Sequence, residues 1–302
     1  MYPAPLNLDT EVFTRIPSNL HKTGQPSVWV SHRGSEPYHS FLEGPSFDRD
    51  GNLFCVDIPY GRIFRISPDG KWEVFTEYDG EPNGLKIHKD GTIYVADHKL
   101  GILKFDPKSA QRTVVIDRPN YERFKGVNDL TFARNGDLYF TDQGRSDLRN
   151  PNGTVYRLRA DGTLDTIWSG LASPNGLVLN NKENELYIGV TNRVVGIGLG
   201  ANYSIGKAFL PVSAVGGPRG PDGMAVDEED NIVVVAAGYG TVWVFSKFGE
   251  PVFRIKSCTG LRTTNVAYGG EDNRTLFITE GHAGAILKVR LPTPGKKMYS
   301  HC

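Results

Sequence analysis

Short apolar runs and polar turns alternate along the chain, and the pattern recurs six times. Each repeat consists of an apolar run, a polar turn of the DG, NG or EDN type, and a second apolar run. Two such runs around a turn of this kind predict a β-hairpin. The six repeats begin near Glu43, Pro82, Val127, Pro174, Pro221 and Thr264.

Most of the hairpins continue into a third and often a fourth apolar run. The third runs include GRIFRI, GILKFD, GTVYRL and GTVWVF, and the fourth runs include KWEVFT, RTVVID, TLDTIW and EPVFRI. Four short strands that recur every 40 to 47 residues are typical of propeller blades, whereas a β-sandwich does not explain a fixed period. The sequence therefore predicts an all-β fold, a six-bladed β-propeller with four-stranded antiparallel blades around a central channel.

The two ends of the chain carry separate predictions. A propeller closes its ring by combining strands from both termini in one blade, so EVFTRI near Glu11 is predicted to be the fourth strand of the last blade. The tail PTPGKKMYSHC is predicted to be frayed, as chain ends often are. Because no linker or low-complexity stretch divides the chain, residues 1–302 are predicted to form a single domain.

A polar residue recurs where each blade's first strand begins, at spacings of 40, 45, 47, 47 and 43 residues. The first strand of a propeller blade is the innermost, so equivalent positions on six such strands form a ring at one face of the channel. We call these positions the axial ring. Its members are Glu43, Asn83, Asn128, Asn175, Asp222 and Asn265.

The residue types of the axial ring indicate a metal site. Carboxylates and amide carbonyls are hard oxygen donors that suit Ca²⁺, Mg²⁺ or Mn²⁺, and the charges of Glu43 and Asp222 match one divalent ion. Without a cation, two carboxylates in a low-dielectric channel would repel each other. The alternative is that Asn-Gly and Asp-Gly serve only as turn residues. The ring contains no thiolate and no His, so a dedicated zinc site is less favoured.

The ends of the second strands lie on the same face as the axial ring, because adjacent strands are antiparallel. Of the polar residues there, Asp142 and His282 are predicted to contact substrate. Two longer connections, 118–125 and 144–153, are candidates for a lid through Tyr121, Phe124 and Arg145.

Composition narrows the classes of partner. The 302 residues include 34 Lys and Arg and 34 Asp and Glu, which removes the argument for nucleic acid or a charged membrane as partner. An odd number of cysteines, three, argues against a disulfide framework and favours a reducing compartment. We see neither a signal peptide nor an apolar run of roughly 18 residues, so a cytoplasmic location is predicted.

Four motifs in order give the chain a family resemblance. EGP at Glu43, VND at 127–129, SPNG around Asn175 and PDGM around Asp222 resemble the SMP-30/gluconolactonase family of six-bladed propeller lactonases. Diisopropylfluorophosphatase is a more distant resemblance. In that family the matching residues bind the catalytic metal, usually calcium, with zinc or manganese in some members. The resemblance thus implies four metal ligands, Glu43, Asn128, Asn175 and Asp222, with Asp222 also the catalytic base.

Two departures from related sequences qualify the resemblance. The phosphatase relative has a second, structural calcium, but the corresponding positions here are Ala225 and Ala267, so we expect no such site. Mammalian-type members carry an Arg where this chain has Gly126, so their mode of sugar-lactone recognition is not expected to carry over unchanged.

These observations predict a metal-dependent hydrolase that opens the ring of a small sugar or hydroxy-acid lactone. The metal, Ca²⁺ or alternatively Zn²⁺, Mn²⁺ or Mg²⁺, polarises the carbonyl, and Asp222 is the general base. Asn83, Asp129 and Asn265 are predicted to contact substrate or water, with orientation of an Asn or of the attacking water as the alternative role of Asp129. No other cofactor is expected. Alternatives are a phosphotriesterase-type hydrolase and a propeller that serves as a non-catalytic binding platform. A strictosidine-synthase-like propeller is disfavoured by the missing signal peptide.

Overall fold

The computed structural model describes residues 2–32, 38–201 and 204–302. Before the first blade lie β1 (Leu6–Asp9), β2 (Glu11–Arg15) and a short helix, α1 (Val28–Ser31). Blade 1 contains β3 (Leu42–Phe47), β4 (Leu53–Asp57), β5 (Arg62–Ile66) and β6 (Trp72–Glu77). Blade 2 contains β7 (Pro82–Ile87), β8 (Ile93–Asp97), β9 (Gly101–Phe105) and β10 (Arg112–Ile116).

The remaining blades follow the same order from the axis outwards. Blade 3 contains β11 (Val127–Phe132), β12 (Leu138–Asp142), β13 (Gly153–Leu158) and β14 (Leu164–Leu171). Blade 4 contains β15 (Pro174–Leu179), β16 (Glu185–Val190), β17 (Arg193–Leu199) and β18 (Ile205–Val212). Blade 5 contains β19 (Pro221–Val226), β20 (Ile232–Ala236), β21 (Thr241–Phe245) and β22 (Pro251–Lys256). Blade 6 contains β23 (Thr263–Gly269), β24 (Thr275–Glu280) and β25 (Ala285–Arg290).

Six four-stranded antiparallel blades in a ring confirm the predicted β-propeller. The blades pack face to face, so the apolar layers lie between neighbours; one layer joins Tyr139 and Val155 of blade 3 to Leu177 and Ile188 of blade 4. Inner strands are therefore covered on both faces, and β3 and β4 are buried throughout, whereas the outermost strand β6 is partly exposed.

The N-terminal strands close the ring. Strand β2 pairs antiparallel with β25 and becomes the outer strand of blade 6, as the sequence predicted. Strand β1 pairs in parallel with β22, which gives blade 5 a fifth strand that the sequence analysis did not predict. The first 15 residues thus connect the last two blades, and ring closure depends on both ends of the chain.

The C-terminal tail is ordered against the blades, so the prediction of a frayed end was wrong. The hydroxyl of Ser300, which is 2% exposed, donates to the Phe47 carbonyl at 3.0 Å. The Tyr299 ring stacks on Phe132 with centroids 5.0 Å apart. These contacts lie where the innermost strands end, so the tail covers the lower opening of the channel. A cavity of about 90 Å³ remains between the tail and the strands.

Lys296 anchors this tail. Its ammonium donates to the carbonyls of Leu179 at 3.2 Å and Asn180 at 3.0 Å, and it forms a buried ion pair with Glu183 at 3.2 Å. Burial lowers the pKa of Lys296, and the Glu183 carboxylate opposes that shift. The sequence gives no sign of this role, because Lys296 and its neighbour Lys297 look alike in the tail.

Two further findings concern the described residues. None of the helices in the described ranges is long and apolar enough to cross a lipid bilayer. Cys55, Cys258 and Cys302 are free thiols, and Cys55 is buried. That residues 1–302 form a single domain stays a prediction.

We expect the Lys296→Ala substitution to lower the free energy of unfolding by about 2 kcal/mol, because the buried Glu183 carboxylate loses its ammonium partner at 3.2 Å and keeps the more distant Arg134 guanidinium, whose Nε lies 3.9 Å away. Urea unfolding measures the change. Lys297→Ala is the matched control, since Lys297 is exposed, and it should stay within about 0.5 kcal/mol of the parent protein. Equal stability of the two variants would contradict the anchoring role.

Candidate active site

All six axial-ring residues lie at the start of an innermost strand, and there the pairing is irregular in every blade. The register between the first and second strands shifts close to the ring residue in each case. Such bulges redirect side chains at functional sites. In three blades a proline precedes the ring residue, at Pro82, Pro174 and Pro221, and proline is tolerated at the beginning of a strand.

Glycine after the ring residue lets the strands approach the axis closely. A Cβ on Gly176 would overlap the backbone of Asp222, and a Cβ on Gly223 would overlap the side chain of Asn265. The Asn-Gly and Asp-Gly pairs of the repeats are therefore required by packing between adjacent blades, in addition to any role in turns.

A cavity of about 350 Å³ opens at this end of the channel. Five of the six axial-ring residues line it, namely Glu43, Asn83, Asn128, Asn175 and Asp222. The structure thus brings together the four residues that were predicted to bind metal. The sixth member, Asn265, is 2% exposed and lies beneath the floor of the cavity.

Below the floor, Asn265 connects two carboxylates from different blades. Its amide nitrogen lies 2.9 Å from Glu43 Oε2 and 3.3 Å from Asp129 Oδ2. The backbone N–H of Gly44 also donates to Glu43 Oε2, at 2.7 Å, and Leu130 donates to Asp129 Oδ1, at 2.8 Å. Asn265 therefore orients Glu43 from below, and Asp129 in turn orients Asn265, as expected for an Asp129 that positions an Asn. Neither Asn265 nor Asp129 lines the cavity, where contacts with substrate were predicted for both.

Negative charge is concentrated at this point. Burial raises the pKa of Glu43 well above its usual range, and the charges of Asp222 and Asp129 raise it further, while hydrogen bonds from Asn265 and Gly44 oppose the shift. Burial also raises the pKa of Asp222 to about 7, against a hydrogen bond from the side chain of Asn175 and with a further increase from Asp129. In the described part of the chain, none of these three carboxylates forms an ion pair with Lys, Arg or His.

The donor set suits a hard divalent cation. Glu43 and Asp222 supply carboxylate oxygens, and Asn128 and Asn175 supply amide oxygens to the same cavity. No group of three or more His, Cys, Asp and Glu residues positioned for a metal occurs among the described residues. A site here therefore combines two carboxylates with amides, and an ion would relieve the crowding of negative charge described above.

Hydrogen bonds fix the orientation of the amide Asn128. Its nitrogen donates to Gln143 Oε1 at 3.0 Å, and the Gln143 nitrogen donates to the Ser173 hydroxyl at 3.1 Å. Because the amide nitrogen of Asn128 points toward Gln143, its amide oxygen points away from Gln143. Gln143 and Ser173 both line the cavity, so the supporting groups also form part of its wall.

On another part of the wall, Asn83 lies beside His98. The His98 Nδ1 atom is 2.6 Å from the Val127 carbonyl, which accepts hydrogen bonds only, so Nδ1 carries the proton. The other ring nitrogen, Nε2, can then accept from the Asn83 amide at 3.4 Å. Both side chains line the cavity and present polar atoms to a bound molecule.

The structure does not bring Asp142 to the cavity. Its carboxylate accepts backbone N–H groups of Lys125 at 3.1 Å and Gly126 at 2.8 Å, and thereby fastens the segment that leads into β11. Asp97 binds the Glu81 N–H in the same way, at 3.0 Å. The acidic residues at the ends of second strands are therefore backbone acceptors that hold the loops of their own blades.

His282 and the two longer loops do not line the cavity. His282 is exposed at the rim, where its ring meets the edge of Tyr38 with centroids 5.6 Å apart. Phe124 is buried in the core between Phe140 and Tyr156, whereas Tyr121 is 98% exposed. We therefore find no lid built from these side chains among the residues that the structure describes.

An aromatic wall of the cavity comes from the N-terminal segment and was not predicted from the sequence. Trp29 of α1, Tyr38 and Phe41 line the cavity, and the Trp29 and Phe41 rings lie 4.9 Å apart. This segment precedes the repeats, so no periodic signal marked it. Two further lining residues, Arg219 and Arg262, were also missed. Each lies three residues before an axial-ring position, so the spacing of the repeats was sufficient to find them.

Comparisons with known proteins agree with the fold and the motifs. Residues 41–282 match the family model described as the SMP-30/gluconolactonase/LRE-like region. A gluconolactonase from Zymomonas mobilis is 34% identical, and the match covers 84% of this chain and 79% of that protein. Lactonase drp35 from Staphylococcus epidermidis is also 34% identical, with 77% of this chain and 73% of the relative covered.

Solved structures show the same fold at lower identity. Regucalcin from Agrobacterium tumefaciens, described as a calcium-binding protein, has a TM-score of 0.79 at 18% identity and covers 99% of this chain and 100% of its own. A gluconolactonase from Xanthomonas campestris has a TM-score of 0.74 at 21% identity, with 97% and 99% covered. On the extent of the family match and the identity to its relatives, the chain belongs to the SMP-30/gluconolactonase/LRE-like family.

Proposed function

We propose that this protein is a lactonase, a carboxylic ester hydrolase that opens the ring of a small lactone with the help of one divalent metal ion. The observation that carries the proposal is the convergence of Glu43, Asn128, Asn175 and Asp222 on one cavity of about 350 Å³. The relatives named gluconolactonase and lactonase support the choice of substrate class. The cavity volume is within the range typical of small-molecule sites.

Four residues would hold the ion: Glu43, Asn128, Asn175 and Asp222. Their oxygen donors favour Ca²⁺, and the calcium-binding relative supports that choice, with Mn²⁺, Zn²⁺ and Mg²⁺ as alternatives. When bound, the ion supplies Lewis-acid stabilisation of the negative charge that develops on the carbonyl oxygen. The charges of the two carboxylate ligands would balance the charge of the ion.

Asp222 is suited to move the proton. It remains partly accessible from the cavity, and its pKa of about 7 follows mainly from burial. A bound cation would lower this pKa, so that Asp222 would be ionised and able to accept a proton at neutral pH. In the proposed reaction Asp222 takes a proton from the attacking water as the new C–O bond forms. It then returns a proton to the ring oxygen as the ester C–O bond breaks, which leaves a hydroxy acid.

The other residues of the site orient these groups. Asn265 holds the Glu43 carboxylate from below, and Asp129 fixes the Asn265 amide through a second hydrogen bond. Asn83 and His98 offer polar atoms to the substrate hydroxyls or ring oxygen. Trp29 and Phe41 form an apolar side of the cavity that reduces access of bulk water.

We expect Asp222→Asn to reduce kcat/KM for lactone hydrolysis by about a thousandfold, because it removes the proton acceptor while keeping the side-chain shape. Metal content is measured on the same samples, so that loss of the base is separated from loss of the ion. Asp79→Asn, a 91% exposed carboxylate, is the control and should keep the parent rate. Near-parent activity of the Asp222 variant, or faster turnover of phosphotriesters than of lactones, would overturn the proposal.

Chelation followed by dialysis should abolish lactone hydrolysis, and one of Ca²⁺, Mn²⁺, Zn²⁺ or Mg²⁺ should restore it. Independently of activity, the restoring ion at 100 times its Kd should add about 2.7 kcal/mol to the free energy of unfolding. Glu43→Gln removes one charged ligand, so we expect a smaller gain at the same ion concentration. An unfolding free energy that no ion changes would contradict the metal site.

A further inference from the structure

Two arginines line the cavity and have no part in the proposed reaction. Arg219 precedes Asp222 by three residues, and Arg262 precedes Asn265 by the same number. They therefore occupy one structural position in two successive blades. The innermost strands of those blades, β19 and β23, are neighbours in the ring, so the two guanidinium groups enter the cavity from adjacent blades.

The structure holds Arg219 along the cavity wall. The next residue, Gly220, accepts a hydrogen bond from the Ala237 N–H at 2.9 Å, which ties the loop to the end of β20. A Cβ on Gly238 would lie 3.4 Å from Arg219 Cδ, so the stem of the arginine crosses Gly238. Gly238 itself lines the cavity, and this contact directs the side chain along it.

The backbone of Arg262 is held from both sides. Its N–H donates to Glu280 Oε1 at 2.8 Å, and its carbonyl accepts from the Gly281 N–H at 2.8 Å. Glu280 also accepts the N–H of Ala283. The Glu280 carboxylate, which lies beside the Arg262 backbone, is thus engaged by backbone N–H groups, and it forms no ion pair with the Arg262 guanidinium in the described part of the chain.

Both guanidinium groups remain available to a ligand. Within residues 2–32, 38–201 and 204–302, neither Arg219 nor Arg262 forms a side-chain hydrogen bond or an ion pair with a carboxylate. By contrast, the side chain at the equivalent position of blade 3, Lys125, donates to the Asn152 carbonyl at 2.6 Å and does not line the cavity. The cationic character of the wall therefore comes from the two arginines.

Planar guanidinium groups bind carboxylate and phosphate in a bidentate manner, and this geometry makes arginine the usual partner of such groups. At the floor, the charge of Glu43 and Asp222 would be balanced by a divalent ion. The two positive charges on the wall have no such balance among the described residues, and a neutral lactone would leave them unmatched.

We propose that the preferred substrate is an anionic lactone, whose carboxylate or phosphate substituent binds Arg219 and Arg262 while the ester group lies at the axis. This inference rests on the proposed function and deepens it by naming the class of lactone. The arginines determine specificity and take no part in proton transfer.

The test compares lactones that differ in one substituent. D-glucono-γ-lactone is neutral, and D-glucaro-γ-lactone has the same ring with a terminal carboxylate. A gluconolactone that is phosphorylated on its terminal hydroxyl tests whether a phosphate substituent is preferred. We expect kcat/KM to be at least about tenfold higher for one anionic lactone than for its neutral counterpart. Arg219→Gln and Arg262→Gln should each remove most of that preference through KM, so that kcat/KM falls far more for the anionic lactone than for the neutral one. Lys125→Gln is the matched control and should keep the preference.

Two results would overturn the inference: a parent protein that prefers the neutral lactone, or arginine variants that lose activity equally on neutral and anionic lactones. If the parent protein opens no lactone, the proposed function fails instead. In that case, isothermal titration calorimetry measures the affinity of the protein for tetrahydropyran-2-carboxylate and for its neutral counterpart, tetrahydropyran-2-methanol. The comparison tests the role of the arginines. Tighter binding of the carboxylate that is lost in both arginine variants supports the anion site, and equal binding of the two compounds contradicts it.

Discussion

The close approach of six innermost strands at the axis is the constraint on which the rest of the structure depends. The backbone of Asp222 lies so near Gly176 that a single methyl group between them would not fit. This spacing places side chains from different blades within hydrogen-bond distance, as in the contact of Asn265 with Glu43 at 2.9 Å. It also sets the volume of the cavity above them.

The same approach forces like charges together. Glu43, Asp129 and Asp222 share a buried region, and their mutual repulsion is one cause of the raised pKa of Glu43. Amide and backbone N–H groups offset part of this cost, but an amide does not neutralise a carboxylate. The axis therefore gives up stability in order to hold negative charge where the proposed ion would lie, and such a cost is typical of functional sites.

The repeated parts of the molecule were predictable from the sequence, and the parts that occur once were not. Hairpin turns, blade spacing and the closing strand at Glu11 follow from alternation of apolar and polar residues. The wall residue Trp29 and the anchor Lys296 lie outside the repeats, so no equivalent residue in another blade indicates their roles. Asp142 was misplaced for another reason: a carboxylate that accepts backbone N–H groups and one that faces a substrate look identical in sequence. Which of the ring residues bind metal stays a prediction.

The hydrogen bond between Glu43 and Asn265 also joins the first and the last blade, at the place where the ring closes. The two residues are 222 positions apart, in the first and last blades, and blade 6 is complete only when β2 from the N-terminus has joined it. During synthesis Glu43 is made early, whereas its partner Asn265 is made only after most of the chain. The axial site therefore cannot be complete until the ring has closed, so a protein with an open ring also lacks an organised centre.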